Sequence, residues 1–338
     1  MNGPFVEVTR GNIVESSHAG HAVVCDVDGR QVFAWGDPDF VTFPRSAVKA
    51  IQALPLVESG AADAFGFGDD ELALACASHS GEPDHVATAR RMLGAAGLDG
   101  SCLECGGHWS LRQPVLIDQA RIYGETPGPI CNNCSGKHAG FVCTAVHLGE
   151  PIADYVSPDH PVQRRVRAVL EDLTGARHDE ANRAVDGCSI PTYAIPLSAM
   201  AIGFARMVAG LEGQRAKAAS RLIEACMSSP HFVAGRDRFC TDIMRAGGGT
   251  VFAKTGAEGV YCGALPKLGL GIALKCVDGS ARAAEIAFGA IAAGLTTNDA
   301  IAGFDRRTLT NWRGIEVGEI HPAPDFHQRL LAATVGSR

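Results

Sequence analysis

The sequence predicts an α+β fold: an antiparallel sheet built from both ends of the chain and flanked by helices, with a helical and loop-rich middle. Three observations point there. Strand-like runs crowd residues 6–43 and recur at 250–277. Helical periodicity dominates the stretch between them. No linker or internal repeat separates the two ends.

Residues 6–9, 21–27 and 31–35 are rich in β-branched and aromatic side chains, and Asp28-Gly29 between the last two is a strong hairpin signal. An extended run at 41–44 leads into a helical pattern over 46–58 that Pro55 kinks or ends. Residues 72–77 read as a short buried strand or a helix end, and 83–97 as a helix. Residues 101–140 are loop-rich, with Gly, Pro, Cys and Asn. Helices are expected at 139–148, 161–174, 196–209 and 213–227, then strands at 250–254, 259–264 and 270–277. A helix at 281–294 and a short strand and helix within 308–335 complete the pattern. The expectation is a single catalytic unit over residues 1–338, its sheet part at about 1–60 and 245–338 and its helical part at about 61–244.

Composition narrows the function. The 338 residues are 46% hydrophobic, enough for a large core, and the net charge of −7 argues against a nucleic-acid surface. No run of apolar residues is long enough for a membrane span. Met1-Asn2-Gly3-Pro4 lacks the basic start and apolar stretch of a secretory signal, so a cytoplasmic protein with reduced thiols is expected. Of its twelve cysteines, Cys25, Cys76, Cys143, Cys226, Cys262 and Cys276 read as small buried hydrophobes.

The chemistry sits in short motifs. Ser46-Ala47-Val48-Lys49 is an S-x-x-K element and Lys254-Thr255-Gly256 a K-T-G element, in the order used by serine-lysine hydrolases. A serine hydroxyl needs a base to take its proton, and a neutral lysine one helical turn away can serve. Only six residues are Lys against twenty-four Arg, and two of the six stand here. Arginine would supply charge; only lysine supplies a removable proton. Ser78-His79-Ser80-Gly81-Glu82 packs two hydroxyls, an imidazole and a carboxylate into one turn, which reads equally as a site or as a cap for the next helix. Cys131-Asn132-Asn133-Cys134-Ser135-Gly136-Lys137-His138 is dense in ligand types, and Asp186-Gly187-Cys188 adds another thiol beside an acid. Cys102, Cys105, Cys131 and Cys134 raise a four-cysteine zinc ribbon, although the 25-residue gap between the pairs exceeds the usual spacing.

These five motifs, in this order, resemble the rhizobial-type class 3 L-asparaginases, the asparaginase II family, from about residue 5 to 335. The resemblance implies a fold similar to serine β-lactamases and glutaminases, a homodimer, and hydrolysis of L-asparagine to L-aspartate and ammonia. It implies two Ser-Lys tandems, Ser46 with Lys49 and Ser78 with Lys254. It also implies a zinc site of Cys134, Lys137 and Cys188, with Asp186 close by and Cys240 corresponding to a cysteine near the site. A lysine ligand must be neutral; taking its pKa from about 10.4 to about 7 costs roughly 4–5 kcal/mol, so a modest-affinity, pH-dependent zinc site is expected. Arg45 and the zinc are candidates for the substrate carboxylate, Asp186 and Glu82 for its ammonium, and His79 for a further substrate contact. Like charges close together leave one lysine neutral and the other charged, without saying which. The chain lacks the Ser-x-Asn or Tyr-x-Asn element of β-lactamases, which argues against β-lactam hydrolysis. A related amidohydrolase acting on glutamine or a peptide amide is the nearest alternative, and a zinc-ribbon binding protein the more distant one.

Overall fold

A computed structural model describes residues 3–335; residues 1–2, half of the N-terminal tetrapeptide considered above, and 336–338 lie outside them. The chain divides into two compact units. The sheet unit gathers Met1–Ala47, Ile195–Gly210 and Ile243–Arg338; the helical unit gathers Val48–Ala194 and Leu211–Asp242. Residues 195–210 therefore run with the sheet, and 48–60 with the helices.

In the sheet unit the expected union of chain ends is present. Five antiparallel strands run in the order Gln31–Trp35, Gly20–Cys25, Leu270–Cys276, Val260–Leu265 and Phe252–Thr255. The ends meet where Leu270–Cys276 pairs with Gly20–Cys25, Leu274 opposite Ala22. Only Lys275 of Leu270–Cys276 escapes burial, because helices cover both faces of the sheet. Helix Leu197–Val208 lies on the face that holds Gly271, where an added Cβ would collide with the backbone of Ala201 and Ala205. Gly263 faces the opposite side, and there a Cβ would come 2.5 Å from the Phe288 ring of helix Ala281–Leu295. Gly29 turns the hairpin between Gly20–Cys25 and Gln31–Trp35 at φ 85°, a conformation glycine adopts without strain.

A second sheet orders Arg307–Thr310, Glu316–Pro322, Val6–Arg10 and Ile13–His18. The sequence reading has no strand at Ile13–His18 and one, not two, in the tail. Only His18 of Ile13–His18 is buried, so no apolar alternation marks it. Helix Pro324–Val335 closes this unit; the Phe326 ring meets Phe5, Phe33 and Trp35 edge-on.

The helical unit holds the middle of the chain. The expected helix at 46–58 is three pieces: a 3-10 turn Arg45–Val48, then Lys49–Gln52 and Leu54–Glu58, with Pro55 in the first turn of the last. Residues 72–77 are a helix end, belonging to Asp69–Ala75. Pro83–Ala95, Pro161–Thr174 and Gly213–Ser228 lie close to expectation. Helix Gln113–Tyr123 lies within the stretch read as loop, and the helix expected at 139–148 is Ser135–His147, which starts four residues earlier. Gln113–Tyr123 buries only Gln119, so core packing does not mark it. Ser135–His147 starts inside the cysteine motif, and at its second residue, Gly136, a Cβ would collide with the Leu74 backbone. That glycine looks like a helix breaker in sequence and is a close-packing residue in the fold. Among the described residues, no helix is long and apolar enough to cross a membrane.

Candidate active site

A buried polar cluster of the helical unit forms where Lys49, the turn after Asp69–Ala75, the start of Ser135–His147 and the hairpin carrying Cys188 come together. Lys49 is wholly buried. Its ammonium donates to Ala77 O at 2.5 Å, Ser78 Oγ at 3.0 Å and Cys134 Sγ at 3.0 Å, one acceptor for each N–H. The turn that carries Ser78 is anchored by its backbone: Ser78 N donates to Val233 O and His79 N to Asn133 O.

Cys134 precedes helix Ser135–His147, its N–H received by Asn132 Oδ1 at 2.7 Å. Cys188 stands in the turn between strands Arg183–Val185 and Pro191–Tyr193, which Ser189 tightens at φ 74°. The two sulfurs are hydrogen-bonded to each other. That bond pulls the Cys134 thiol far below its ordinary pKa; burial opposes the shift, and Lys49 and Lys137 favour it. The same bond, with burial, holds Cys188 protonated. Lys137 donates to Cys188 Sγ at 3.0 Å. Burial disfavours its ammonium, but Cys188, Cys134 and Asp186 outweigh that, and its pKa lies above the ordinary lysine value. One thiolate–thiol pair thus sits between two buried lysines.

Two sulfurs and one amine within hydrogen-bond reach form a donor set that suits zinc. Two other groups bring ligand atoms within 4.8 Å of one another: His18, Cys276 and Asp278 in the sheet unit, and Glu82, His85 and His231 in the helical unit. In the second of these, His85 already uses both ring nitrogens, on Glu82 N and His231 O.

The remaining candidates are placed as follows. Ser46 is half-buried in the turn Arg45–Val48, three residues before Lys49, and Arg45 adopts φ 50°. Lys254, fully buried on strand Phe252–Thr255, donates to Thr255 O at 2.8 Å. Gly256 lies against the Ser46 turn; a Cβ there would be 2.8 Å from Pro44 O and 3.2 Å from Ala47 N. The K-T-G element and the S-x-x-K turn are therefore neighbours in the sheet unit, as the sequence order suggested. His79 Nε2 meets Ser135 Oγ at 3.0 Å, and burial drives its imidazole pKa far down, so the ring is neutral. Asp186 accepts from Gly187 N at 2.6 Å. The Glu82 carboxylate accepts from Arg236 N at 2.9 Å and pairs with Arg236 Nε at 2.8 Å. Cys240 is buried near the start of helix Phe239–Gly247.

Sequence reasoning missed Ser135 and Asn133. Ser135 hydrogen-bonds His79, and Asn133 Oδ1 lies 3.2 Å from Cys134 Sγ. Both lie inside the cysteine motif, so their position was the available signal. The ribbon set does not assemble. Cys102 bonds Asp99 O, Cys105 bonds Pro129 O, Cys131 bonds the Tyr123 hydroxyl, and Cys134 belongs to the Lys49 cluster. Among the described residues no disulfide joins any of the twelve cysteines, and the six read as hydrophobes are all buried.

A profile of the L-asparaginase II family matches residues 6–322. The chain belongs to this family. No curated protein matches it. Two solved structures are similar to it: Mglu in its native form, at 16% identity and a TM-score of 0.41 over 79% of this chain and 62% of that one, and Mglu, at 14% and 0.38 over 78% and 64%. The chain spans less than two thirds of the length of these structures.

Proposed function

We propose that this protein, acting as a single catalytic unit, hydrolyses L-asparagine to L-aspartate and ammonia. The observation that carries the reading is the buried Lys49 ammonium on Ser78 Oγ and Cys134 Sγ, both at 3.0 Å, inside a chain with the motifs of the family. Ser46 is the nucleophile. Its Oγ attacks the side-chain amide carbon, its proton goes to a neutral lysine, and the C–N bond breaks as the leaving nitrogen is protonated to ammonia. Water then hydrolyses the ester to free Ser46. Lys49 is the base for Ser46, and Ser78 with Lys254 is the second tandem, relaying protons.

The Lys49–Ser78 bond supports one shared proton network rather than two separate pairs. In its charged form Lys49 has every N–H engaged, so only its neutral form can take the Ser46 proton. Arg45 is the proposed partner of the substrate carboxylate and Asp186 of its ammonium. Glu82, already paired with Arg236, is the weaker candidate for that ammonium. His79, neutral and hydrogen-bonded to Ser135, fixes the turn that presents Ser78.

Cys134, Lys137 and Cys188 would hold a zinc ion, which when bound supplies positive charge close to the substrate carboxylate. Binding requires Cys188 and Lys137 to lose their protons, so affinity is modest and rises with pH. A cytoplasmic homodimer completes the proposal. Ammonia release from asparagine and from glutamine, with and without zinc, tests it. Turnover of asparagine that collapses in Ser46→Ala supports the assignment; a preference for glutamine would move the protein to a neighbouring amidohydrolase activity.

A further inference from the structure

We infer that the cleft between helices Pro83–Ala95 and Gln113–Tyr123 binds a small organic anion, a carboxylate or a phosphate on an apolar body. The cleft measures about 630 Å³, within the roughly 300–1,000 Å³ of small-molecule sites. Val86, Val115, Ile122 and Tyr123 give it apolar walls. Ile122 and Tyr123 remain 68% and 42% exposed.

Charge selects the ligand. Four arginines line the cleft, Arg90, Arg112, Arg121 and Arg236, against the carboxylates of Glu82, Asp118 and Asp237. The lining is net positive in a chain of net charge −7. Arg236 is held by Glu82 at 2.8 Å. Arg121 reaches Asp118 only at 3.9 Å between two exposed side chains, a pair that water screens and that leaves the guanidinium available. Arg90 and Arg112 make no ion pair with any described residue. Guanidinium forks match carboxylate and phosphate oxygens two at a time.

The wall itself is not explained by core packing. Helix Gln113–Tyr123 buries only Gln119, and that side chain forms a bridge: Nε2 donates to Gly81 O at 3.2 Å while Oε1 accepts from Ser110 N at 2.8 Å. Ser110 Oγ in turn donates to Ser80 O at 2.6 Å. The helix is thus fixed in place by a polar strut beneath the cleft, while its apolar residues Val115, Ile122 and Tyr123 line it. Such a strut positions a wall against a ligand.

The test uses the full chain and needs no turnover, so this inference and the asparaginase reading fail separately. The fluorescent aryl anion 8-anilinonaphthalene-1-sulfonate is titrated as the probe, then displaced with 1-naphthoate in one arm and adenosine 5′-monophosphate in the other. The expected result is one saturable probe site per chain, displaced by at least one anion; the effective arm identifies carboxylate or phosphate. Arg90→Ala/Arg112→Ala should weaken probe binding about tenfold or more. Val115→Trp fills the cleft, keeps every charge, and should abolish binding; it carries the test alone if the double variant does not fold. Unchanged probe affinity in either folded variant, or failure of both anions to displace the probe, overturns the proposal.

Discussion

Lys49 and Cys134 share a hydrogen bond of 3.0 Å, and through it the serine–lysine group and the sulfur pair form one buried network. The network holds two lysines and one thiolate away from water, where an unpaired charge costs several kcal/mol. Each member is therefore tied to the protonation state of the next.

Lys49 is expected to act through a removable proton and not through charge alone. Lys49→Arg keeps the charge and Lys49→Met removes it. Ammonia release from asparagine should fall by about 10²–10⁴ in both variants, the range for loss of a general base. Near-parent activity in the arginine variant would assign Lys49 an electrostatic role only.

Zinc affinity should depend on the sulfur pair. Cys134→Ser and Cys188→Ser should each weaken zinc binding at least tenfold, measured by competition with a chromophoric chelator, because serine is a harder and more basic donor. Parent-like affinity in both would place the metal elsewhere, for instance at His18, Cys276 and Asp278. The fold should survive chelation, since each unit has its own apolar core.

Buried imidazoles should make the protein acid-sensitive. Burial holds His79 and His138 far below the ordinary value of 6.5, with nearby lysine charge adding to the effect. Both are neutral when folded and titrate near 6.5 when unfolded. The unfolded state therefore binds more protons below that pH, and stability falls as pH drops. Each histidine contributes up to about 1.4 kcal/mol per pH unit. Urea unfolding between pH 8 and 5 should show a plateau above about 7 and a steep decline below it; a flat profile would mean that both rings are charged in the native state.

Gly136 should be irreplaceable on steric grounds. A methyl group there collides with the Leu74 backbone, and neither helix can retreat without opening the contact that positions Cys134. Gly136→Ala should cost about 1–3 kcal/mol, seen as a Tm lower by several degrees. An unchanged Tm would show that this helix contact yields easily.

Much of this was legible in the sequence, for identifiable reasons. Asp28-Gly29 between two β-rich runs marked the hairpin of Gly20–Cys25 and Gln31–Trp35, and the continuous apolar run at Leu270–Cys276 marked a strand covered on both faces. Scarce lysines in short motifs pointed to Lys49, Lys137 and Lys254, and all three are buried. What was hidden lacked a periodic signal. Ile13–His18 is an exposed edge strand, and Gln113–Tyr123 is held by a polar strut. The start of Ser135–His147 was concealed by a glycine whose purpose is tertiary. The bond from Lys49 to Cys134 joins residues 85 positions apart, and no local pattern could announce it.

Single-turnover ammonia release from L-asparagine, compared between the parent and Ser46→Ala at matched folding by circular dichroism, tests the central claim most directly. The account predicts a burst of ammonia with one acyl group per chain in the parent and its disappearance in the variant. Parent-like release by Ser46→Ala would contradict it and move the nucleophile elsewhere, with Ser78 on Lys49 the first place to look.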